Sequence, residues 1–297
     1  MNQTILSTPP VQVRHVRHAD LQEDTEAYPD VMEPARRRSI SHVLGQHPKA
    51  ALRGAHKFHL DYLVSGAATE PPLHSHDYSE IFMVLQGGYR FFWGNHAEHY
   101  VDLGPLDMFS VPPKVMRKFH SNREQPGMLL AIFDTTLRDP DDGIVISQAL
   151  IDEEGGAEKY AKYGSGWGDS VDEDRIQSYI ARIADLASKA SDEGSIVPLI
   201  ATGQADAGIS TPHHVTVQFV FVNSSLDVEP TAASEVFVPV RGTCQLTVDG
   251  EVFDLQSFDA LSVDGGGTRS LRAAEGEKVV LLRIIDTRSE TGPATVI

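Results

Sequence analysis

Pro71-Pro72-Leu73-His74-Ser75-His76-Asp77-Tyr78-Ser79-Glu80-Ile81-Phe82-Met83-Val84-Leu85-Gln86-Gly87 is the stretch on which the reading of this chain turns. Its two histidines stand one residue apart, and a strand with a side-chain period of two sends both to the same face. Glu80 follows at the head of an apolar run that Gly87 closes. Two imidazoles and a carboxylate converging on one point make a facial ligand set. Such a set suits Fe(II), Mn(II), Ni(II) or Zn(II) and leaves coordination positions open for substrate or dioxygen. The competing reading is a turn with both histidines in solvent. The apolar segments on either side place the group in a core instead.

Those segments are short, rich in β-branched and aromatic residues, and broken by Gly and Pro, which reads as strands. Before the helical region they are 58–64, 80–86, 88–94, 99–103, 107–112 and 128–134, and after it 213–222, 234–242, 244–250, 251–255, 259–264 and 278–286. Trp93-Gly94-Asn95-His96 and Asp249-Gly250 are hairpin signals. Between the two groups, Ile176, Tyr179, Ile180, Ile183, Leu186 and Ala187 recur at helical spacing, with acidic residues before them and Gly194 after. That pattern predicts a helix over 172–190.

The two strand-rich regions match each other. Glu80 to Glu235 and Gly87 to Gly242 are both shifts of 155 residues, and Asp107 to Asp259 is a shift of 152. Matches in the same order at nearly one offset indicate a duplicated unit. At the 155 shift, His74 and His76 become Glu229 and Thr231, so the second copy keeps Glu235 and loses both imidazoles. A metal is expected in the first copy alone.

On these residues the chain resembles the cupin superfamily. HSHDYSEIFMVLQG, His74 to Gly87, matches the first cupin motif, with the glycine expected before the first histidine displaced to Gly66. DMFSVPPKVMRKFHSN, Asp107 to Asn122, resembles the second. The resemblance is good over about 52–135 and weaker over about 213–286. It implies an all-β-dominated bicupin: two jelly-roll barrels with a helical connecting segment and a metal inside the first barrel. The implied organisation is an N-terminal extension at 1–50, a metal-binding barrel at 51–138, a helical linker at 139–197 and a degenerate barrel at 198–297. Counted from Pro112, the metal-binding histidine of the second motif falls on Arg117, and His120 comes three residues later. Either a bulge brings His120 in as a fourth ligand beside His74, His76 and Glu80, or Arg117 replaces it. His120 is slightly favoured because it adjoins Ser121-Asn122. An inward Arg117 would clamp a substrate carboxylate with its planar fork.

Weaker candidates lie on the strand before the first motif. Either His56, Phe58, Leu60 and Tyr62 or Lys57, His59 and Asp61 face inward there, so His59 and Tyr62 join Arg117 as substrate-contact candidates. His213 and His214 read as structural, His96 and His99 as surface residues, and Phe82, Val84, Phe91 and Trp93 as the wall of a dry pocket. Arg36, Arg37 and Arg38 read as a solvated helix face.

Composition narrows the function. The chain has 297 residues, 25 Lys and Arg against 42 Asp and Glu, and a formal charge of −17. That much negative charge repels nucleic acid and anionic membrane surfaces, leaving a small-molecule substrate as the expected partner and a homo-oligomer open. The single cysteine, Cys244, excludes an intrachain disulfide framework. No signal pattern or membrane span is evident, so the cytoplasm is the expected compartment. The leading expectation is a non-haem metal-dependent oxygenase acting on a small organic acid or phenol, a dioxygenase with Fe(II). The alternatives are a metal-dependent isomerase, decarboxylase or lyase with Mn, Ni or Zn, and a non-catalytic small-molecule-binding protein.

Overall fold

Each apolar segment read as a strand is one, and the strands assemble into four sheets. The computed structural model describes residues 11–25, 38–54, 56–66, 70–137, 140–154, 158–189 and 194–290. One sheet of the first half orders Ile180–Ala181, Met108–Val111, Glu80–Gln86, Gly127–Phe133, His59–Ser65 and Ser39–Leu44. The other orders Gly164–Gly166, Val145–Ser147, His74–Ser75, Arg117–Ser121, Tyr89–Trp93 and His99–Leu103. In the second half the corresponding sheets are Val13–Val16, Ala260–Val263, Glu235–Arg241, Val279–Asp286, Val215–Val222, Ser195–Ile200 and Ser225–Val228, Arg269–Ala273, Cys244–Val248, Glu251–Leu255. Strand order closes none of the four sheets on itself.

The sheets stack in four layers because their central strands are apolar on both faces. Phe82 and Val84 meet Phe91, Trp93 and Phe119 from the facing sheet of the first half. Ile81, Met83 and Leu85, on the other face of the same strand, meet Val236, Val238 and Leu282 of the second half. Phe237 and Leu261 then pack on Leu246 and Leu271. Alternation therefore splits one strand between two cores, and Glu80, even-numbered like Phe82, shares the face of the first-half interior.

The internal repeat is real in register. Glu80 pairs with Val111 and Phe133, and Glu235 pairs with Val263 and Ile285, each partner shifted by 152. Gly87 and Gly242 both close their strands at positive φ, +83° and +78°. The halves grip each other reciprocally: His56 Nε2 bonds Ser262 Oγ at 2.7 Å, and His213 Nε2 bonds Ser110 Oγ at 2.6 Å. The Lys57 amide donates to Asp286 at 2.7 Å, and the His214 amide to Asp134 at 2.9 Å.

Three expectations need correction. The helix over 172–190 is broken into Glu173–Gln177 and Ile183–Ala187, with Ile180–Ala181 between them as a strand. Ile180 pairs with Phe109, and the Ser110 amide donates to the Tyr179 carbonyl, so the open edge of the sheet takes residues that helical spacing had claimed. The region 1–50 is more than an extension, since Val13–Val16 adds to the second-half sheet and Ser39–Leu44 to the first. Arg36 and Arg37 lie outside the described residues, while Arg38 is buried with its guanidinium 5.6 Å from the Phe119 ring rather than solvated. Among the described residues no helix is long and apolar enough to cross a membrane.

Burial lowers the His56 pKa from 6.5 to about 4, against the opposing pull of Asp264 and Asp286, with Arg14 adding to the lowering. The unfolded chain therefore takes up this proton first, between about pH 6.5 and 4, and folding stability falls as pH drops through that window. The His56 share is on the order of 3 kcal/mol by the pKa difference. Urea midpoints measured from pH 7.5 to 4 are expected to fall, with His56→Gln flattening part of the slope. An unchanged slope in the variant would show that His56 does not carry it.

Candidate metal centre

His74 and His76 reach one point because the two-residue strand His74–Ser75 is clamped from both sides. Ile146 pairs with His74 on one side and Arg117 on the other. The His76 carbonyl is held by the Lys114 amide at 2.6 Å. Glu80 enters from the opposite sheet at the head of its strand. Ligand atoms of His74, His76 and Glu80 all lie within 4.8 Å of one another, and all three residues are buried. His76 Nε2 is 3.6 Å from Glu80 Oε2. The His76 ring stacks on Tyr78 at 4.6 Å and meets Phe133 edge-on at 6.4 Å.

The protonation states suit a ligand set. His74 Nδ1 donates to the Pro72 carbonyl at 2.6 Å, which fixes the tautomer and leaves Nε2 with its lone pair. Burial, and after it the Arg117 charge, holds the His74 imidazole well below the usual histidine range. The same two causes, in the same order, act on His76. Both rings are neutral at pH 7, the state that binds a metal. The three donors fit a divalent cation of nitrogen and oxygen preference. One competitor is present, since the Arg117 guanidinium pairs with Glu80 Oε2.

The choice between Arg117 and His120 is decided by register. Arg117–Ser121 pairs with Tyr89–Trp93 residue for residue without a bulge, so alternation holds. Arg117, Phe119 and Ser121 are buried, while Lys118 and His120 are half-buried on the other face. His120 lies 3.9 Å from Glu70 and 5.3 Å from the Phe92 ring. The expectation of His120 as fourth ligand is therefore corrected: it stands on the outer face, away from the three. Arg117 is 1% exposed and donates from Nη1 to the His74 carbonyl at 3.2 Å.

The remaining candidates separate. His59 shares the inner sheet face, but Phe133 stands between it and Glu80 in the register, and its Nε2 bonds the Leu137 carbonyl at 2.7 Å. Tyr62 is on the opposite face, in the core between the halves, and donates to the Phe258 carbonyl at 2.8 Å. It is not brought to the site. Phe82, Val84, Phe91 and Trp93 fill the first-half core. Tyr78, on the His76 ring, escaped the sequence reading, and Arg38, read there only as part of a solvated face, lines a small recess with His74, Ile146 and Tyr163. Arg38 lies on no motif, so only the fold could reveal it.

In the second half, Arg269 occupies the place of Arg117, and it ion-pairs with Glu235 at 2.8 Å. Val228 pairs with Arg269 as His74 pairs with Arg117, so the register puts Val228 and Pro230 where the imidazoles stand. That displaces the sequence alignment to Glu229 and Thr231 by one residue and leaves the second copy without an imidazole either way.

No family model and no curated protein matches the chain. Its fold is nevertheless a known one. Oxalate decarboxylase from Bacillus subtilis at pH 4.6 superposes with a TM-score of 0.63 at 14% identity, covering 92% of this chain and 75% of that one. A variant of the same enzyme carrying a four-residue replacement gives 0.64, also at 14% identity, over 92% and 76%. The cupin resemblance read from the motifs thus holds at the level of fold.

Removing either arginine or histidine separates the two residues experimentally. Arg117→Ala leaves Glu80 buried beside neutral imidazoles and is expected to cost about 3–5 kcal/mol in urea unfolding. His120→Ala, at a half-buried site, is expected to cost no more than about 1 kcal/mol. Equal losses would contradict the assigned faces.

Proposed function

We propose that the chain is a metal-dependent enzyme built as two cupin barrels, with its one metal site in the first, and that it removes carbon dioxide from a small carboxylate. The observation that carries this reading is the buried guanidinium of Arg117 beside the His74, His76 and Glu80 ligand set. A metal centre with a fixed cation next to it is suited to an anionic substrate, because the planar fork accepts a carboxylate in two places. Likeness of fold to a decarboxylase supports the lyase alternative over the oxygenase that the sequence suggested first.

His74, His76 and Glu80 would hold the ion, which when bound supplies a Lewis acid for charge that develops on the substrate. Arg117 binds and orients the carboxylate. The aromatic wall of Tyr78, Phe82 and Phe133 keeps water from it, and a dry site favours dispersal of the carboxylate charge. The carbon–carbon bond to the carboxylate breaks, carbon dioxide leaves, and the carbon that keeps the electron pair takes up a proton.

The test pairs metal analysis with product detection. Protein purified without chelator in acetate buffer is expected to carry close to one divalent ion per chain, and His76→Ala to lose it while keeping the β-sheet circular dichroism signal. Oxalate and related small carboxylates are then screened for carbon dioxide release with oxygen uptake followed in parallel. Release without net oxygen uptake supports the decarboxylase. Substrate-dependent oxygen consumption would restore the oxygenase reading, and full metal retention in His76→Ala would remove the ligand assignment.

A further inference from the structure

The comparison of the two halves shows an arginine on the metal-site glutamate that has no obvious place beside a cation. In the second half, Glu235 is held by two arginines, Arg269 on Oε1 at 2.8 Å and Arg283 on Oε2. Arg283 stands two residues before Ile285, the partner of Glu235, and the residue two before Phe133, the partner of Glu80, is Ala131. The first half has therefore kept one arginine of the pair and has a buried alanine where the second stands. Glu80 is left with Arg117 on Oε2, the same oxygen that lies 3.6 Å from His76 Nε2.

Charge then limits what the site can hold. Glu80 and Arg117 cancel, and an imidazole that ligates a metal brings no charge of its own, so a divalent cation would enter a buried pocket with no net negative charge to meet it. Burial of uncompensated charge is costly. The Glu80 oxygen that faces His76 Nε2 is the one Arg117 already holds, so a cation drawn to it competes with the guanidinium.

Two buried donors indicate what is missing. Arg117 Nε and Trp93 Nε1 make no hydrogen bond among the described residues; Arg269 Nε of the second half is likewise without one, so the distinguishing feature of the first half is the pairing of the arginine with the Trp93 donor. The register sets Trp93 directly opposite Arg117 on the neighbouring strand, and both side chains are buried in the first-half interior. Each unsatisfied buried donor costs about 1–3 kcal/mol, so both would gain from an acceptor placed beside them. Because the whole row His74, Arg117 and Trp93 runs across adjacent strands, that acceptor would lie next to the metal ligands.

The geometry points to obligate pairing of ligands: the first-half site binds its divalent cation together with a small carboxylate, each weakly without the other. The carboxylate accepts from Arg117, and Arg117 in turn releases its hold on Glu80 Oε2 to the cation. The anion also supplies the negative charge that the pocket lacks. This rests on the metal reading above and adds to it an order of affinity, in which Arg117 couples the two ligands rather than serving the substrate alone. By reciprocity the carboxylate must gain from the cation the factor that the cation gains from it.

Calorimetric titration of Mn²⁺ into metal-stripped full-length protein tests the coupling, with acetate as the probe anion and chloride at equal ionic strength as the control. Acetate chelates Mn²⁺ weakly in solution, so a change in affinity reports the protein. Wild type is expected to bind Mn²⁺ about tenfold or more tightly with acetate, within the usual range of coupling between sites. Arg117→Gln is expected to bind Mn²⁺ more tightly than wild type in chloride and to lose the acetate effect. The wild-type comparison stands by itself if that variant does not fold. Equal Mn²⁺ affinity in acetate and chloride, or weaker binding in a folded Arg117→Gln, overturns the coupling while leaving the metal site intact. Absence of Mn²⁺ binding to wild type under both conditions overturns the metal reading and the coupling together. Coupled binding without carbon dioxide release from any carboxylate keeps the coupling and removes the decarboxylase.

Discussion

Each half of the molecule depends on a central strand buried on both faces. Glu80–Gln86 sends Phe82 and Val84 into one core and Ile81, Met83 and Leu85 into another, and Glu235–Arg241 does the same for its own half. Burial on both sides removes any freedom of register, because a slip of one residue would exchange two different cores and turn a glutamate into the wrong one. Glu80 and Glu235 are placed by that constraint, and the strands facing them must present something that compensates a buried carboxylate.

Arginine is that compensation in both halves. Arg117 meets Glu80, and Arg269 meets Glu235, at the same register position. The common element of the repeat is thus a Glu–Arg pair, with the imidazoles confined to one copy. Where two arginines hold Glu235, both carboxylate oxygens are ion-paired and burial still raises the carboxyl pKa. Where one arginine holds Glu80, His74 and His76 complete a group with donor atoms close enough for an ion. The chemical difference between the halves comes down to Ala131 against Arg283 and two histidines against Val228 and Pro230.

The reciprocal His–Ser contacts show how the halves are joined. Ser110 and Ser262 are equivalent residues of the repeat, and each hydrogen-bonds a histidine of the other half, with Ser110 donating to His213 because His213 Nδ1 donates to the Thr211 carbonyl. Ser110 and Ser262 are completely buried, and both histidines are depressed in pKa chiefly by burial. These pairs therefore act as neutral hydrogen-bonded clamps between cores. They also explain why the chain needs its early residues: His56 and Lys57 reach across to the second half before their own strand begins.

Much of this was written in the sequence. The spacing of His74, His76 and Glu80 placed all three on converging faces, and the shifts of 155 and 152 residues announced the repeat, because side-chain period and strand length are local properties. The pale spots were polar strands and long-range choices. Arg117–Ser121 has Phe119 as its one apolar residue and so carries no apolar alternation, and helical spacing claims Ile180, which the sheet edge takes. The sequence by itself brought out His74, His76 and Glu80 as a group that could hold a metal, and showed that the second copy lacks both imidazoles. Only the tertiary structure decided that Arg117 faces the ligands and His120 faces Glu70, because that choice depends on the pairing of a strand with Tyr89–Trp93, and pairing across a sheet is absent from local sequence.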